Sequence, residues 1–284
     1  MRAISSLGTL SQVGHQQLTA AHLSGPVYTA CREALLRPGR LFSATPVWAR
    51  LFLAWCEALD APPQEALLRA AVACEFLATG FDLIDDVYDQ AGGPALDWEL
   101  MTALPASVAL VQLAQETVVL LDLPVERRLR AGAALARASR QVFAAQAEDY
   151  ALRHQPTAPE QRVHAILRRR SGTLGATPCR CAALLSGASW RLVALAGRFG
   201  AALGCAAQLE DDLADRVDDT RSGRKTLPTL LAQQYPDAPA LVEATAWVLM
   251  QRFLQNAAQI IQRLPANVRT EPLWALLPPD AHAT

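Results

Sequence analysis

Lysine is almost missing from this chain of 284 residues: among 26 basic residues, only Lys225 is a lysine. A bias toward arginine follows from genomic base composition and names no function, but it makes the place of Lys225 worth noting. There is no excess of either charge. The formal net charge is −1 and 51% of residues are hydrophobic, which allows a sizeable core and excludes a general polyanion-binding surface. Nucleic acid is therefore not an expected partner. Cysteine pairs are missing too: Cys31, Cys56, Cys74, Cys179, Cys181 and Cys205 form no C-x-x-C motif, and Cys179-Arg180-Cys181 is too tightly spaced for a metal knuckle. Such residues, set in helical patterns, are expected to be buried reduced thiols of a cytoplasmic protein. The N-terminus lacks the basic-then-apolar pattern of a signal peptide, and no uninterrupted apolar run reaches about 18 residues, so no transmembrane segment is expected.

Strand signals are also nearly absent. In their place are long Ala/Leu/Arg/Gln-rich segments of helical periodicity, separated by breaks at Arg37-Pro38-Gly39, Asp60-Ala61-Pro62-Pro63, Gly92-Gly93-Pro94, Leu123-Pro124, Pro156 to Pro159 and Tyr235 to Pro239. The pattern predicts helices over 15–36, 44–59, 64–89, 104–122, 125–154, 160–187, 189–217 and 238–263, with shorter pieces over 225–234 and 271–277. No linker divides them, and one all-α bundle over 1–284 is expected. Other all-α chemistries lack their residues here. Di-iron bundles need E-x-x-H pairs and metal phosphohydrolases a His-Asp dyad. His15, His22, His154, His164 and His282 all lie away from the acidic clusters described next.

Two clusters share one spacing, D-D-x-x-D: Asp85-Asp86-Val87-Tyr88-Asp89 and, 126 residues on, Asp211-Asp212-Leu213-Ala214-Asp215. Each closes an apolar helical stretch. Helical periodicity stacks Asp85 over Asp89 and Asp211 over Asp215, and like charges so placed repel by roughly 0.2–0.5 kcal/mol even on an exposed helix. Both clusters also oppose the negative end of their own helix dipole. A solvated acidic helix end is the ordinary reading of one such cluster; two of identical spacing on apolar helices point to divalent cations, and to a diphosphate bridged by Mg²⁺.

The residues around the clusters resemble the trans-isoprenyl diphosphate synthases, the polyprenyl synthetase family. Gln208-Leu-Glu-Asp211-Asp212-Leu-Ala-Asp215 is similar to that family's Q-x-x-D-D-x-x-D motif. Asp219 through Gly223-Arg224-Lys225-Thr226-Leu227-Pro228 resembles D-x-x-x-G-K-x-T-L-P, with the lysine shifted by one residue. Arg170-Ser171-Gly172-Thr173-Leu174 resembles a K-T-G-x-L helix break, Gln146-Ala-Glu-Asp149 a G-Q-x-x-D segment, and Arg37-Pro-Gly-Arg40 an N-terminal K-x-x-R. The resemblance implies a class I isoprenoid synthase bundle with a central cavity, usually dimeric, that ionises an allylic isoprenyl diphosphate. It implies three Mg²⁺, two held by Asp85 and Asp89 and one by Asp211, with Asp86, Asp212 and Asp215 completing the metal set. Lys225 and Arg170 would take the diphosphate oxygens, with Arg224 as substitute, and Arg37, Arg40, Gln146 and Gln208 would bind substrate. Charge grows on the departing diphosphate, so fixed cations aimed at it are the main catalytic device. The carbocation left behind needs a dry apolar cavity. Phe81, four residues before Asp85, would form its floor and limit chain length, with Phe76 and Leu77 deeper, although each also reads as ordinary core.

One part of the pattern is missing. Chain-elongating members carry paired basic residues in an R-R-G sequence just after the first motif. This chain has no basic residue from Asp85 to Glu126. Four readings remain: a short-chain synthase with an altered acceptor site, a synthase-like terpene cyclase, an enzyme resembling bacterial peptide prenyltransferases, and a non-catalytic partner subunit.

Overall fold

The structure is a computed structural model that describes residues 2–61, 64–90 and 98–279, with side chains described over 8–61, 64–88 and 102–279. Every regular element among the described residues is helical. In order they are α1 (Arg2–Ala20), α2 (Gly25–Leu36), α3 (Val47–Ala58), α4 (Glu65–Gln90), α5 (Trp98–Val119), α6 (Val125–Arg153) and α7 (Glu160–Leu167). A π turn (Arg168–Gly172) follows, then α8 (Thr173–Leu185), α9 (Trp190–Ala214), α10 (Arg216–Ser222), α11 (Leu227–Gln234), α12 (Pro239–Gln262) and α13 (Glu271–Trp274). The all-α expectation holds. The predicted helix 15–36 is in fact two, because Gly25-Pro26 starts α2 after a turn in which His22 has φ 49°. Proline fixes φ and lacks an N–H, so it is at home in a first helical turn and not in an interior. The predicted segment 189–217 likewise divides, into α9 and α10.

The chain falls into two compact units, Met1–Arg137 with Pro178–Val193, and Ala138–Thr177 with Ala194–Thr284. In the first unit α4 is central. Its stretch Ala70 to Phe81 is buried on every side, as an all-round apolar helix requires, and α1, α2, α3 and α5 pack on it. Phe52, Trp55, Phe76, Leu110 and Leu135 are fully buried there. Gly80 lets α5 come close: a Cβ at Gly80 would stand 2.9 Å from Val111 Cγ2 and 3.0 Å from the Ser107 carbonyl oxygen. Ser107 Oγ in turn donates to the Gly80 carbonyl at 2.6 Å.

In the second unit the π turn and α8 cross α9 at glycines. A Cβ on Gly175 would sit 2.1 Å from the Gly200 carbonyl oxygen, and one on Gly204 would sit 2.2 Å from that of Ser171. No side chain fits either gap. Leu167, Cys205, Leu209, Leu227, Leu231 and Val242 make the core beside this crossing. Among the described residues α9 is also the one helix long and apolar enough to cross a membrane, with mean hydropathy 1.5 over its best stretch, but 56% of that stretch is buried within the protein, as in a core helix. All six cysteines are free and buried.

The glycine crossing makes a direct prediction. Gly204→Ala drives a methyl into backbone that cannot swing aside, and should lower stability by about 2 kcal/mol. In a thermal melt followed by circular dichroism, that corresponds to a fall of about 5 °C in Tm.

Candidate active site

The first acidic cluster closes α4, where the helix's own carbonyls already carry partial negative charge. Two arginines reach it from the turn between α2 and α3. That turn is pinned by backbone bonds: Phe42 N–H donates to the Leu35 carbonyl at 2.9 Å, and Val47 N–H to the Gly39 carbonyl at 3.0 Å. Gly39 takes φ 76°, a conformation that suits glycine. From this turn Arg37 Nη1 donates to Asp86 Oδ2 at 2.6 Å, and Arg40 Nε donates to Asp82 Oδ2. Together Arg37, Pro38, Arg40, Asp82, Asp85 and Asp86 line a cleft of about 260 Å³. Burial raises the Asp82 pKa against the opposing pull of Arg40.

Behind this cleft lies Glu75, fully buried. Its Oε1 accepts the Ala49 N–H at 2.7 Å, holding the start of α3. Burial pushes its pKa up to about 7, opposed chiefly by the Ala49 N–H and by the charge of Arg40. Carboxylates at a helix N-terminus are well placed electrostatically, and here the arrangement fixes the frame that carries Arg37 and Arg40.

The second cluster closes α9. Ser171 Oγ donates to Gln208 Oε1 at 2.8 Å, and Gln208 Nε2 donates to Asp212 Oδ1 at 2.9 Å. Because Ser171 belongs to the π turn, the glycine crossing sets this relay. Asp212 is buried, and burial raises its pKa to about 7, opposed by the Gln208 bond and then by Arg170 and Arg224. Around it is a mixed-charge group. Arg170 Nη1 lies 3.2 Å from Asp149 Oδ2, with Arg153 Nη2 at 3.9 Å and Arg224 Nε at 4.0 Å from the same oxygen. Arg224 Nη1 is also 3.6 Å from Asp219 Oδ1. The π turn sorts its three arginines: Arg168 and Arg169 stay exposed, Arg169 pairing with Glu148, while Arg170 turns inward. π turns inside helices are frequent at functional positions.

Lys225 follows in the loop between α10 and α11. Gly223, at φ 76°, ends α10. Thr226 and Thr229 form a capping box that starts α11, and Thr229 Oγ1 donates to the Arg224 carbonyl at 3.0 Å. The loop is thus held at both ends, with Lys225 partly buried.

Of the residues predicted from sequence, Arg37 meets the first cluster at Asp86, Arg40 meets Asp82 just before it, and Arg170, Gln208, Arg224 and Asp212 converge in the second unit. Asp211 and Asp215 are exposed. Gln146, Phe76, Leu77 and Phe81 are buried. Asp89 lies in α4, but its side chain is outside the described residues. Sequence reasoning assigned no role to Asp82, Glu75, Ser171 or Arg153. Asp82 had a readable signal, a carboxylate one turn before Asp85 inside an apolar helix, and Arg153 lies four residues after Asp149 on the same helix.

No three Asp, Glu, His or Cys side chains among the described residues form a preformed metal cage. The donors present are carboxylate oxygens at helical spacing, which fits Mg²⁺: that ion keeps several waters and uses one or two carboxylates together with substrate phosphates.

Comparison with solved structures gives the fold. The fold matches a geranylgeranyl pyrophosphate synthetase from the archaeon Geoglobus acetivorans at a TM-score of 0.79 and 20% identity, covering 96% of this chain and 97% of that one. It matches a polyprenyl synthase from Caulobacter crescentus CB15 at 0.77 and 22%, covering 96% and 95%, and a heptaprenyl diphosphate synthase from Staphylococcus aureus at 0.74 and 18%, covering 95% of both chains. All are all-α prenyl synthases. No curated protein matches in sequence. The polyprenyl synthetase family model matches residues 46–246, and the chain belongs to that family: it is an enzyme of the class I isoprenoid synthase type, which acts by prenyl transfer.

Glu75 gives the site a pH signature. Below its ordinary value near 4.5 the carboxyl is protonated in both folded and unfolded chains. As pH rises toward 7, the unfolded chain releases this proton and the folded one retains it, so the group's stabilising share is lost through that window. Glu75→Gln keeps an oxygen for the Ala49 N–H and removes the charge. In thermal melts it should stabilise the protein by about 3 kcal/mol at pH 8.5, and far less at pH 5.

Proposed function

We propose that this protein carries out Mg²⁺-dependent ionisation of an allylic isoprenyl diphosphate followed by prenyl transfer. The observation that carries the reading is the pair of D-D-x-x-D helix ends, each set beside arginines. In this reading the allylic C–O bond breaks and its electron pair leaves with the diphosphate. The carbocation then takes an electron pair from an acceptor, which afterwards loses a proton.

The chain's residues have distinct tasks. Asp85 and Asp89 would hold two ions and Asp211 a third, with Asp86, Asp212 and Asp215 orienting their waters. The bound ions would supply positive charge to the leaving oxygens. Arg170 and Lys225, with Arg224 as substitute, bind those oxygens directly. The network around Asp149 keeps Arg170 and Arg224 in fixed poses, and the Ser171–Gln208–Asp212 relay keeps the second cluster in order. Both would reduce the reorganisation needed as charge develops. Gln146 completes the substrate contacts, while Arg37 and Arg40, which the resemblance also assigns to substrate, are engaged with Asp86 and Asp82. Phe81, with Phe76 and Leu77 deeper, serves as the floor that limits chain length. The Caulobacter neighbour's complex with calcium and isoprenyl diphosphate is in keeping with this chemistry.

The reading takes residues 1–284 as one catalytic domain of a cytoplasmic homodimer. Buried free thiols agree with a reducing compartment, and Val108, Leu120, Val125 and Leu129 are exposed apolar residues that a second copy would cover. A synthase-like cyclase is the second reading, favoured by the absence of any basic residue from Asp85 to Glu126. In it the cation is attacked by a double bond of its own chain.

Purified protein should release diphosphate from geranyl, farnesyl or geranylgeranyl diphosphate only when Mg²⁺ is present. Asp85→Ala should reduce that release by about a hundredfold or more; turnover that survives the change would refute the assignment. Mass spectrometry of the products then separates the readings, since longer diphosphates mark elongation and hydrocarbons or alcohols mark cyclisation. Phe81→Ala should shift the accepted or formed chain to greater length, and an unchanged length would remove Phe81 from the floor.

A further inference from the structure

We propose that Asp82 is a specificity-determining residue: with Asp86 it takes up the arginine charge that a second diphosphate would need, so the prenyl acceptor of this protein carries no diphosphate. The inference rests on the allylic-diphosphate reading above and narrows the other half of that reaction.

A site for a diphosphate requires surplus positive charge. The protein's own cations in the cleft at the end of α4 are two arginines, set among three aspartates. Both guanidinium groups are engaged, Arg37 with Asp86 at 2.6 Å and Arg40 with Asp82. These are charge-assisted hydrogen bonds, which are stronger than neutral ones. The Arg40 pair is the better protected, its side chains 20% and 26% exposed against 46% and 39% for Arg37 and Asp86. Glu75 adds a second carboxyl that the charge of Arg40 acts on, from the buried side. An incoming diphosphate would have to strip Asp82 from Arg40 and leave that carboxylate mostly buried and unpaired, beside its own negative oxygens. Breaking a buried pair from one side is costly. The segment from Asp85 to Glu126, which follows the first cluster, supplies no basic residue to make up the loss.

A neutral acceptor meets no such barrier. The allylic diphosphate departs with the C–O electron pair, and the acceptor supplies a π bond or lone pair to the cationic carbon. A proton then passes from the acceptor to the released diphosphate or to water. No step needs an anionic handle on the acceptor. A carboxylate fixed on Arg40 also selects against the wrong partner, by like-charge repulsion, as much as it holds the turn in place.

The test titrates isopentenyl diphosphate into the wild type, Asp82→Asn and Asp82→Ala by calorimetry, with the allylic site saturated by a non-ionising farnesyl thiodiphosphate and Mg²⁺. Both variants free Arg40, and either should bind isopentenyl diphosphate about tenfold or more tightly than the wild type. Equal affinity in all three proteins would overturn the proposal. So would a wild type that joins isopentenyl diphosphate to an allylic substrate and yields a diphosphate one unit longer, an arm that needs no variant to fold. Diphosphate release from allylic substrate alone is measured in parallel. Its absence in the wild type would strike the underlying reading, while the titration would still report on Asp82.

Discussion

Carboxylates are gathered at the carboxyl ends of α4 and α9, where the backbone dipole is already negative, and arginine makes both ends tolerable. At α4 the compensation is pairwise, Arg37 with Asp86 and Arg40 with Asp82. Around α9 it is collective, with Arg153, Arg170 and Arg224 about Asp149 and Asp219. The rest of each unit can be understood as the frame that brings those arginines to the right place. A pinned turn with Gly39 and a carboxylate holding the start of α3 do this in the first unit. A π turn, a glycine crossing and a capping box do it in the second.

The two ends use charge differently. In the first unit Arg37 is opposed by Asp86 of the cluster and Arg40 by Asp82 just before it. In the second, Arg170 and Arg224 pair with Asp149, and Arg224 also with Asp219, while Asp211 and Asp215 are exposed to solvent. Buried ion pairs are seldom a net gain in stability against apolar packing. Their retention here is better explained by the fixed orientation they give to guanidinium groups, whose planar donor forks suit phosphate oxygens.

Much of the fold was legible because helical periodicity and proline breaks are local signals. The predicted segments 64–89, 125–154 and 238–263 lie within two residues of α4, α6 and α12. What escaped was of two kinds. The break before α2 depends on Gly25-Pro26, a weak signal inside an otherwise periodic stretch, and the π turn, marked only by the resemblance of Arg170 to Leu174 to a helix break, leaves the periodicity of the predicted helix 160–187 unchanged. The pairings of the candidate site were beyond reach for a different reason. Arg40 and Asp82 are 42 residues apart, and Ser171 and Gln208 are 37 apart, so only tertiary packing brings them together. Asp82 could be seen as an acid out of place on an apolar helix; that its partner is Arg40 could not.

The loop that carries Lys225 has one more consequence. It is fixed by the left-handed Gly223 at one end and the Thr226–Thr229 box at the other, and it holds the chain's single side-chain amine. Every other Lys or Arg position is a guanidinium, inert to acylating reagents and charged at any accessible pH. An activated ester or an aldehyde therefore meets one amino side chain in the whole protein, partly shielded and locally rigid. Among side chains, ordinary amine chemistry is thus confined to Lys225, and a reporter placed there would sense a loop whose position is set by backbone bonds.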